Sequence, residues 1–308
     1  MATITAKDVA ALRERTGAGM MDCKKALMAC EGEVEKAIDF LREKGLAAAA
    51  KKAGRIAAEG VVADYRDGDV AVLVEVNCET DFVAKTDKFL AFVKQIAKQI
   101  ADTNPADVEA LMATTMDGDT VEHAVSTAVA GIGEKISIRR FARYECGENG
   151  FVDSYIHMGG KVGVFSEICV GDDSVITKPE FADFAKNINM QIAASRPGWV
   201  NEEDVPQAEL DRETEIIKNK ALEEGKPEKI IMERIVPGQV KNFYKMNCLV
   251  DQEYIKDEDL SVKQYIEKTA KELGTELAVV RFTRFTLGEG IEKKQDDFAE
   301  EVRKQAGL

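Results

Sequence analysis

The chain is poor in the residues that most often carry chemistry. Its only two histidines, His123 and His157, lie far apart and lack metal-ligand spacing. Six cysteines (Cys23, Cys30, Cys78, Cys146, Cys169 and Cys248) form no Cys-x-x-Cys pair. Such scattered cysteines read as reduced thiols, mostly buried small hydrophobes, and not as a disulfide framework or zinc site. No apolar run approaches the roughly 20 residues that a membrane helix needs. The opening MATITAKDVAALRERTG has no signal-peptide core and no Arg/Ser-rich, acid-poor leader, so a cytoplasmic location without a membrane partner is expected. Positive charge is also short: the 308 residues carry a net charge of −14, which argues against direct nucleic-acid binding. The first 55 residues, with 11 Lys and Arg against 8 acidic residues, depart from this only by an excess that a solvated surface explains. Phosphate-cradling GxxxxGKS or GxxxxGKT, a GxGxxG after a strand, GxSxG and HExxH are all missing. An enzyme is not expected, nor a metal or cofactor of its own.

What is present is a duplication, in a chain long enough for two or more domains. Gly60, Val62 and Tyr65 match Gly150, Val152 and Tyr155 at a shift of 90; Val70, Val72 and Glu75 match Val162, Val164 and Glu167 at 92. The match continues through Phe89, Phe92, Lys94, Ile96, Gln99 and Ile100, which face Phe181, Phe184, Lys186, Ile188, Gln191 and Ile192. IRRFARYE (138–145) then resembles VVRFTRFT (279–286). Each copy predicts a hairpin, a helix, further helical sequence and a closing strand, an α+β unit of antiparallel sheet with helices on one face. Ile136, Ile138 and Arg140 should share one strand face, Ser137 and Arg139 the other. Phe89, Phe92, Val93, Ile96 and Ile100 fall on one helical stripe.

The second copy carries an insertion. Leu210, Thr214, Ile217 and Ala221 have coiled-coil seam spacing, Gly225–Lys226–Pro227 predicts a turn, and Ile231, Met232, Ile235 and Val236 belong to a second helix. A projecting helical hairpin is expected, broken or kinked at Pro237–Gly238. Two such helices are marginal alone, which favours a self-association arm over a local cap on the sheet. The N-terminal residues form a separate three-helix unit, with Gly17–Ala18–Gly19 turning between the first two helices. Met20 and Met21 follow on a loop, where either one is exposed or both fold back on the third helix. Residues 46–55 (LAAAAKKAGR) suggest a basic helical tether. The division predicted is 1–55 for this head and tether, 56–146 for the first core half, and 147–194 with 245–287 for the second. Residues 195–244 form the insert and 288–308 a C-terminal module.

Glu75 to Phe89 read EVNCETDFVAKTDKF, which places Phe82 on a strand-to-helix connection. Connections run over the surface, so a large apolar group there either tucks into the core or is presented to a partner. At the 92-residue shift Asp81 matches Asp173 and Val83 matches Val175, but Phe82 falls opposite Ser174. The shared fold therefore does not need Phe82. Glu79, Asp81 and Asp87 cluster nearby and could form an acid/base pair, but nothing nucleophilic accompanies them; capping, above all by Asp87, is the favoured reading.

LRERTGAGMMDCKKAL (12–27) together with EVNCETDFVAKTDKF (75–89) resembles the two signature segments of the bacterial elongation factor Ts family. The resemblance extends through IGEKISIRR (132–140), SYIHMGGKVGVF (154–165), AASRPGW (193–199) and GEGIEKKQDDFAEEV (288–302). It implies a ubiquitin-associated-like three-helix domain, a duplicated core, a coiled-coil dimerisation insert and a C-terminal helix. It also implies a guanine-nucleotide exchange factor for elongation factor Tu, with GDP, GTP and Mg²⁺ held by that partner. In the family the pair matching Asp81–Phe82 wedges into the partner's G domain; Thr80 and Val83 flank it. Arg13, Met20, Met21, Ile132, His157 and Phe298 match further contact positions. An adaptor that binds other proteins through its three-helix head is the alternative.

Overall fold

The computed structural model describes residues 4–16 and 18–292. Helices α1 (Ala6–Thr16), α2 (Met20–Ala29) and α3 (Val34–Lys52) close on Val9, Leu12, Cys23, Ala26, Leu27 and Ala37. Met20 and Met21 form the first turn of α2 and not a loop, because Gly19 already takes the extended N-cap conformation. Alanines 47–50, the best helix formers, carry α3 on to Lys52. The expected tether is therefore largely the end of one long helix.

The first half follows in the predicted order. Strands β1 (Glu59–Asp67) and β2 (Val70–Cys78) form a hairpin, followed by the one-turn α4 (Asp81–Ala84) and then α5 (Asp87–Thr103). Next come α6 (Val108–Ala113), a small hairpin of β3 (Thr115–Met116) and β4 (Asp119–Thr120), α7 (Val121–Ile132) and the long β5 (Ile136–Glu145). β5 returns to β2, giving the antiparallel order β1–β2–β5. The expected α5 stripe is buried against Val72, Val74 and Val76. Each such side chain contributes about 1.5–3 kcal/mol by leaving water.

The second half repeats this with β6 (Gly150–His157), β7 (Val162–Val170), a 3₁₀ turn Asp173–Thr177 and α8 (Pro179–Ser195). The insertion follows as α9 (Gln207–Glu223), α10 (Glu228–Ile230), a widened π turn Ile231–Ile235 and α11 (Val236–Asn247), and leads to β8 (Glu253–Tyr254) and β9 (Asp257–Ser261). Helix α12 (Val262–Leu273) and β10 (Leu277–Thr286) complete the half, and β10 pairs with β7 as β5 does with β2. Register confirms the duplication: Gly60 faces Asn77 as Gly150 faces Cys169, and Cys78 faces Ile136 as Val170 faces Leu277. The architecture is α+β.

Helices α5 and α8 cover the outer face of each sheet, and the inner faces meet through Val62, Leu73, Tyr144, Val152, Phe165 and Phe285. A Cβ at Gly163 would overlap Val62 and Leu73, so only glycine lets the sheets approach this closely. The simple alternation expected along β5 fails at Arg139, where a bulge lets both Arg139 and Arg140 reach Glu75, at 2.9 and 2.7 Å. In the insert, Ile217, Ala221, Ile231 and Val236 pack together, with Leu210 and Thr214 half-buried. Pro237 does not end the second helix. It removes one backbone N–H, and the π turn directly before it relieves the crowding a proline ring imposes on the preceding carbonyls.

Candidate functional site

The corner at Phe82 begins where β2 runs out of partners. Thr80 is the extended N-cap of α4, and its hydroxyl accepts the Val83 N–H at 3.3 Å. Within that single turn Ala84 is buried and Val83 packs on the core, which leaves Asp81 and Phe82 outside. Phe82 is 80% exposed, more than any other large apolar side chain among the described residues. The core reading of Phe82 is thereby excluded.

Lys85 lies 2.6 Å from Asp81 and holds its carboxyl below the usual range, with Lys161 adding to the effect. Asp81 is thus an ionised surface group beside the aromatic ring. Thr86, not Asp87, caps α5: its hydroxyl accepts the Phe89 N–H at 3.3 Å and donates to the Val83 carbonyl at 2.8 Å. Asp87 is the first residue inside that helix.

Underneath, two carboxylates exchange places. Glu134 accepts the N–H groups of Glu79 (3.1 Å) and Thr80 (3.0 Å) and the Thr80 hydroxyl (2.6 Å). Glu79 accepts the Lys135 N–H at 2.6 Å and pairs with Arg55 at 3.2 Å. The Lys135 ammonium donates to the carbonyls of Ala53 (2.7 Å) and Arg55 (2.8 Å). The Thr80 hydroxyl is thereby engaged inward on both sides. Cys78 donates to the Thr80 carbonyl, and burial together with the Glu134 charge pushes its thiol up to about 12. It is an inert packing group.

Ile132, the last residue of α7, packs on the same core two residues before Glu134, and Gly133 (φ 92°) supplies the left-handed turn between them. His157 is exposed at the end of β6, its Nδ1 2.9 Å from the Tyr155 hydroxyl, and Met158 beside it is exposed at φ 50°. Arg13, Met20 and Met21 are exposed on α1 and α2, so the fold-back reading of the two methionines fails. The head is fastened to the first core half by α3 lying on α7, with Arg42 paired to Asp119. Between them runs a groove of about 940 Å³ whose lining includes Arg15, Gly19, Lys44, Lys88 and Ile132. Phe298 lies outside the described residues.

Comparison with known proteins decides the family. The family profile described as Elongation factor TS matches residues 79–289. The chain is 50% identical to Elongation factor Ts of Clostridium perfringens (strain SM101 / Type A), over 99% of both chains. It is 50% identical to that of Trichlorobacter lovleyi over 99% of each, and 48% identical to that of Clostridium novyi over 98% of each. This chain belongs to the elongation factor Ts family. Its role is that of a translation elongation factor. No helix among the described residues is long and apolar enough to cross a membrane.

Sequence reasoning did not single out Glu134, Lys135 or Arg55, and it gave Glu79 only a generic cap. The signal was nevertheless in the duplication: Glu79 falls opposite Gly171, and Glu134 opposite Thr275. Both substitutions accompany the change of Phe82 to Ser174.

Proposed function

We propose that this chain is a guanine-nucleotide exchange factor that binds elongation factor Tu and promotes GDP release. The observation that carries this reading is Phe82, a bare ring on a braced corner, which the duplicated fold does not require. Phosphates are held by backbone N–H groups and a bound cation, so small displacements of those elements cost much of the affinity. Phe82, with Asp81 charged beside it, would insert into the G domain of the partner and displace them; Val83 anchors the turn on the core, and Thr80 holds the turn. Arg13, Met20 and Met21 on the ubiquitin-associated-like head, with Ile132 and His157 on the core, would grip the same domain. GDP, GTP and Mg²⁺ belong to the partner, and the chain itself acts in the cytoplasm without bond chemistry or a cofactor.

Exchange requires the factor to prefer the nucleotide-free partner, and reciprocity then makes GDP weaken the factor's own binding. A tenfold acceleration needs only about 1.4 kcal/mol of barrier. The test adds the protein to the complex of elongation factor Tu with a fluorescent GDP analogue. Faster release supports exchange. Unchanged release would favour the adaptor reading, to which exposed Met20, Met21 and Met28 on the head give some support.

The insert would serve self-association, since Ile216, Leu222, Ile230 and Met232 are exposed on the hairpin. Sedimentation of the chain alone should show a dimer, which Ile216→Asp with Met232→Asp returns to monomer. A monomeric unsubstituted chain contradicts the arm.

A further inference from the structure

We propose that Glu134 is a positioning residue for Phe82, acting with Glu79 as a reciprocal clamp; this inference rests on the exchange reading above. A wedge works only if the backbone beneath it resists being pushed back. Phe82 stands on a helix of four residues, far too short to hold its own shape in water. The N–H groups around the start of such a turn also need acceptors from elsewhere.

Glu134 supplies them. One carboxylate oxygen takes the N–H groups of Glu79 and Thr80, and the other takes the Thr80 hydroxyl proton. With its proton committed there, the hydroxyl oxygen is left to accept the Val83 N–H, one residue beyond the ring. Hydrogen bonds to an ionised acceptor are roughly twice as strong as neutral ones. Glu79 returns the favour by accepting the Lys135 N–H, and the Arg55 guanidinium and Lys135 ammonium join the end of α3 to the same point. Three separate chain segments therefore meet under one corner. Because Ile132 precedes Glu134 by two residues, the clamp also fixes Ile132 relative to Phe82.

The second half provides an internal control. Strand register sets Gly171, Asp172, Ser174, Thr275 and Glu276 opposite Glu79, Thr80, Phe82, Glu134 and Lys135. There both clamp carboxylates are missing. The Gly171 N–H bonds directly to the Glu276 carbonyl at 2.9 Å, and Asp172 caps its own turn through the Ser174 N–H at 2.9 Å. A Cβ at Gly171 would come within 3.0 Å of the Thr275 hydroxyl and 3.2 Å of the Glu276 nitrogen, so any side chain there would crowd that closure. The duplicated fold therefore closes this corner without a clamp. Clamp and aromatic ring occur together in one half and are absent together from the other.

The test compares the full chain with Glu134→Ala, Glu134→Gln, Phe82→Ala and the Phe82→Ala/Glu134→Ala double variant. The readout is release of a fluorescent GDP analogue from elongation factor Tu across factor concentrations. Glu134→Ala should lower the maximal rate about tenfold, as expected when a working group is displaced by a fraction of an ångström. The half-saturating concentration should stay within about twofold, since most of the contact surface is untouched. Glu134→Gln should recover part of the rate, because its amide oxygen still accepts but carries no charge; it also serves if the alanine variant folds poorly. In the Phe82→Ala background, Glu134→Ala should cause no further loss, because no ring remains to be positioned. An additive loss in the double variant, or an unchanged rate in both single Glu134 variants, overturns the proposal while leaving exchange intact. No acceleration by the unsubstituted chain overturns the exchange reading, and this inference with it.

Discussion

The corners that follow β2 and β7 are the same corner built twice, and they end differently. Beneath both, the packing is shared: Phe89 and Phe181, Ile96 and Ile188, and Ile100 and Ile192 are all fully buried at matching positions. Above them the first corner carries Asp81–Phe82 on two interlocked carboxylates, and the second carries Asp173–Ser174 on a locally capped 3₁₀ turn. Residues common to both halves build the sheet-and-helix unit. Residues private to one half, on its surface and under its exposed ring, are the ones to which we assign the proposed exchange.

The largest effects should be equal in the two halves. Phe89→Ala and Phe181→Ala each remove a fully buried ring and should each cost about 3–5 kcal/mol in denaturant unfolding. If only one of them did, the two cores would not be equivalent supports.

A smaller effect should separate the halves. Glu75 and Glu167 match in the duplication and pair with Arg140 and Arg281, but Glu75 is wholly buried and also receives Arg139 and the Gly288 N–H. Glu75→Gln takes the buried carboxylate from two half-buried arginines, of which Arg140 keeps Glu289, and should cost about 2 kcal/mol in lost charge-assisted hydrogen bonds. Glu167→Gln, whose arginine is half exposed, should cost less than about 1 kcal/mol. Burial alone would raise the Glu75 carboxyl, but Gly288, Arg139 and Arg140 outweigh it and hold it below the usual range. A depressed carboxyl stabilises the fold above its unfolded pKa of about 4.3 and loses that contribution as pH falls through the folded value. The gap in unfolding midpoint between the unsubstituted chain and Glu75→Gln should therefore narrow on acidification. A gap that widens would contradict the pairing.

The smallest stability effect belongs to Phe82, the residue proposed to carry exchange. Phe82→Ala should change unfolding free energy by less than about 0.5 kcal/mol, as expected of an exposed side chain. A loss of about 3 kcal/mol would mean that the ring is core after all. Ser174→Ala should be silent in both stability and exchange.

Much of this is legible in the sequence. The hairpins, the α5 stripe and the closing strands followed from periodicity and duplication, because each buries one repeating face. Phe82 stood out for the opposite reason, as an apolar residue that the repeat did not preserve. What escaped depended on contacts between distant segments. The Glu134 clamp joins the α7–β5 turn to the end of β2, and no local pattern announces such a bond. The Arg139 bulge hid because alternation looks intact until the partner strand is placed. Thr86 displaced Asp87 as the cap because a shift of one residue in helix start exchanges the two roles. The Met20–Met21 turn was misplaced for the same reason.

Phe82 is proposed to drive exchange without supporting the fold. Stopped-flow release of a fluorescent GDP analogue from elongation factor Tu, at saturating factor, tests it directly. The unsubstituted chain should accelerate release, and Phe82→Ala should lose about 10- to 100-fold of that rate, roughly 1.4–2.7 kcal/mol of barrier, with its unfolding midpoint unchanged. An equal rate from Phe82→Ala, or no acceleration by the unsubstituted chain, would contradict it.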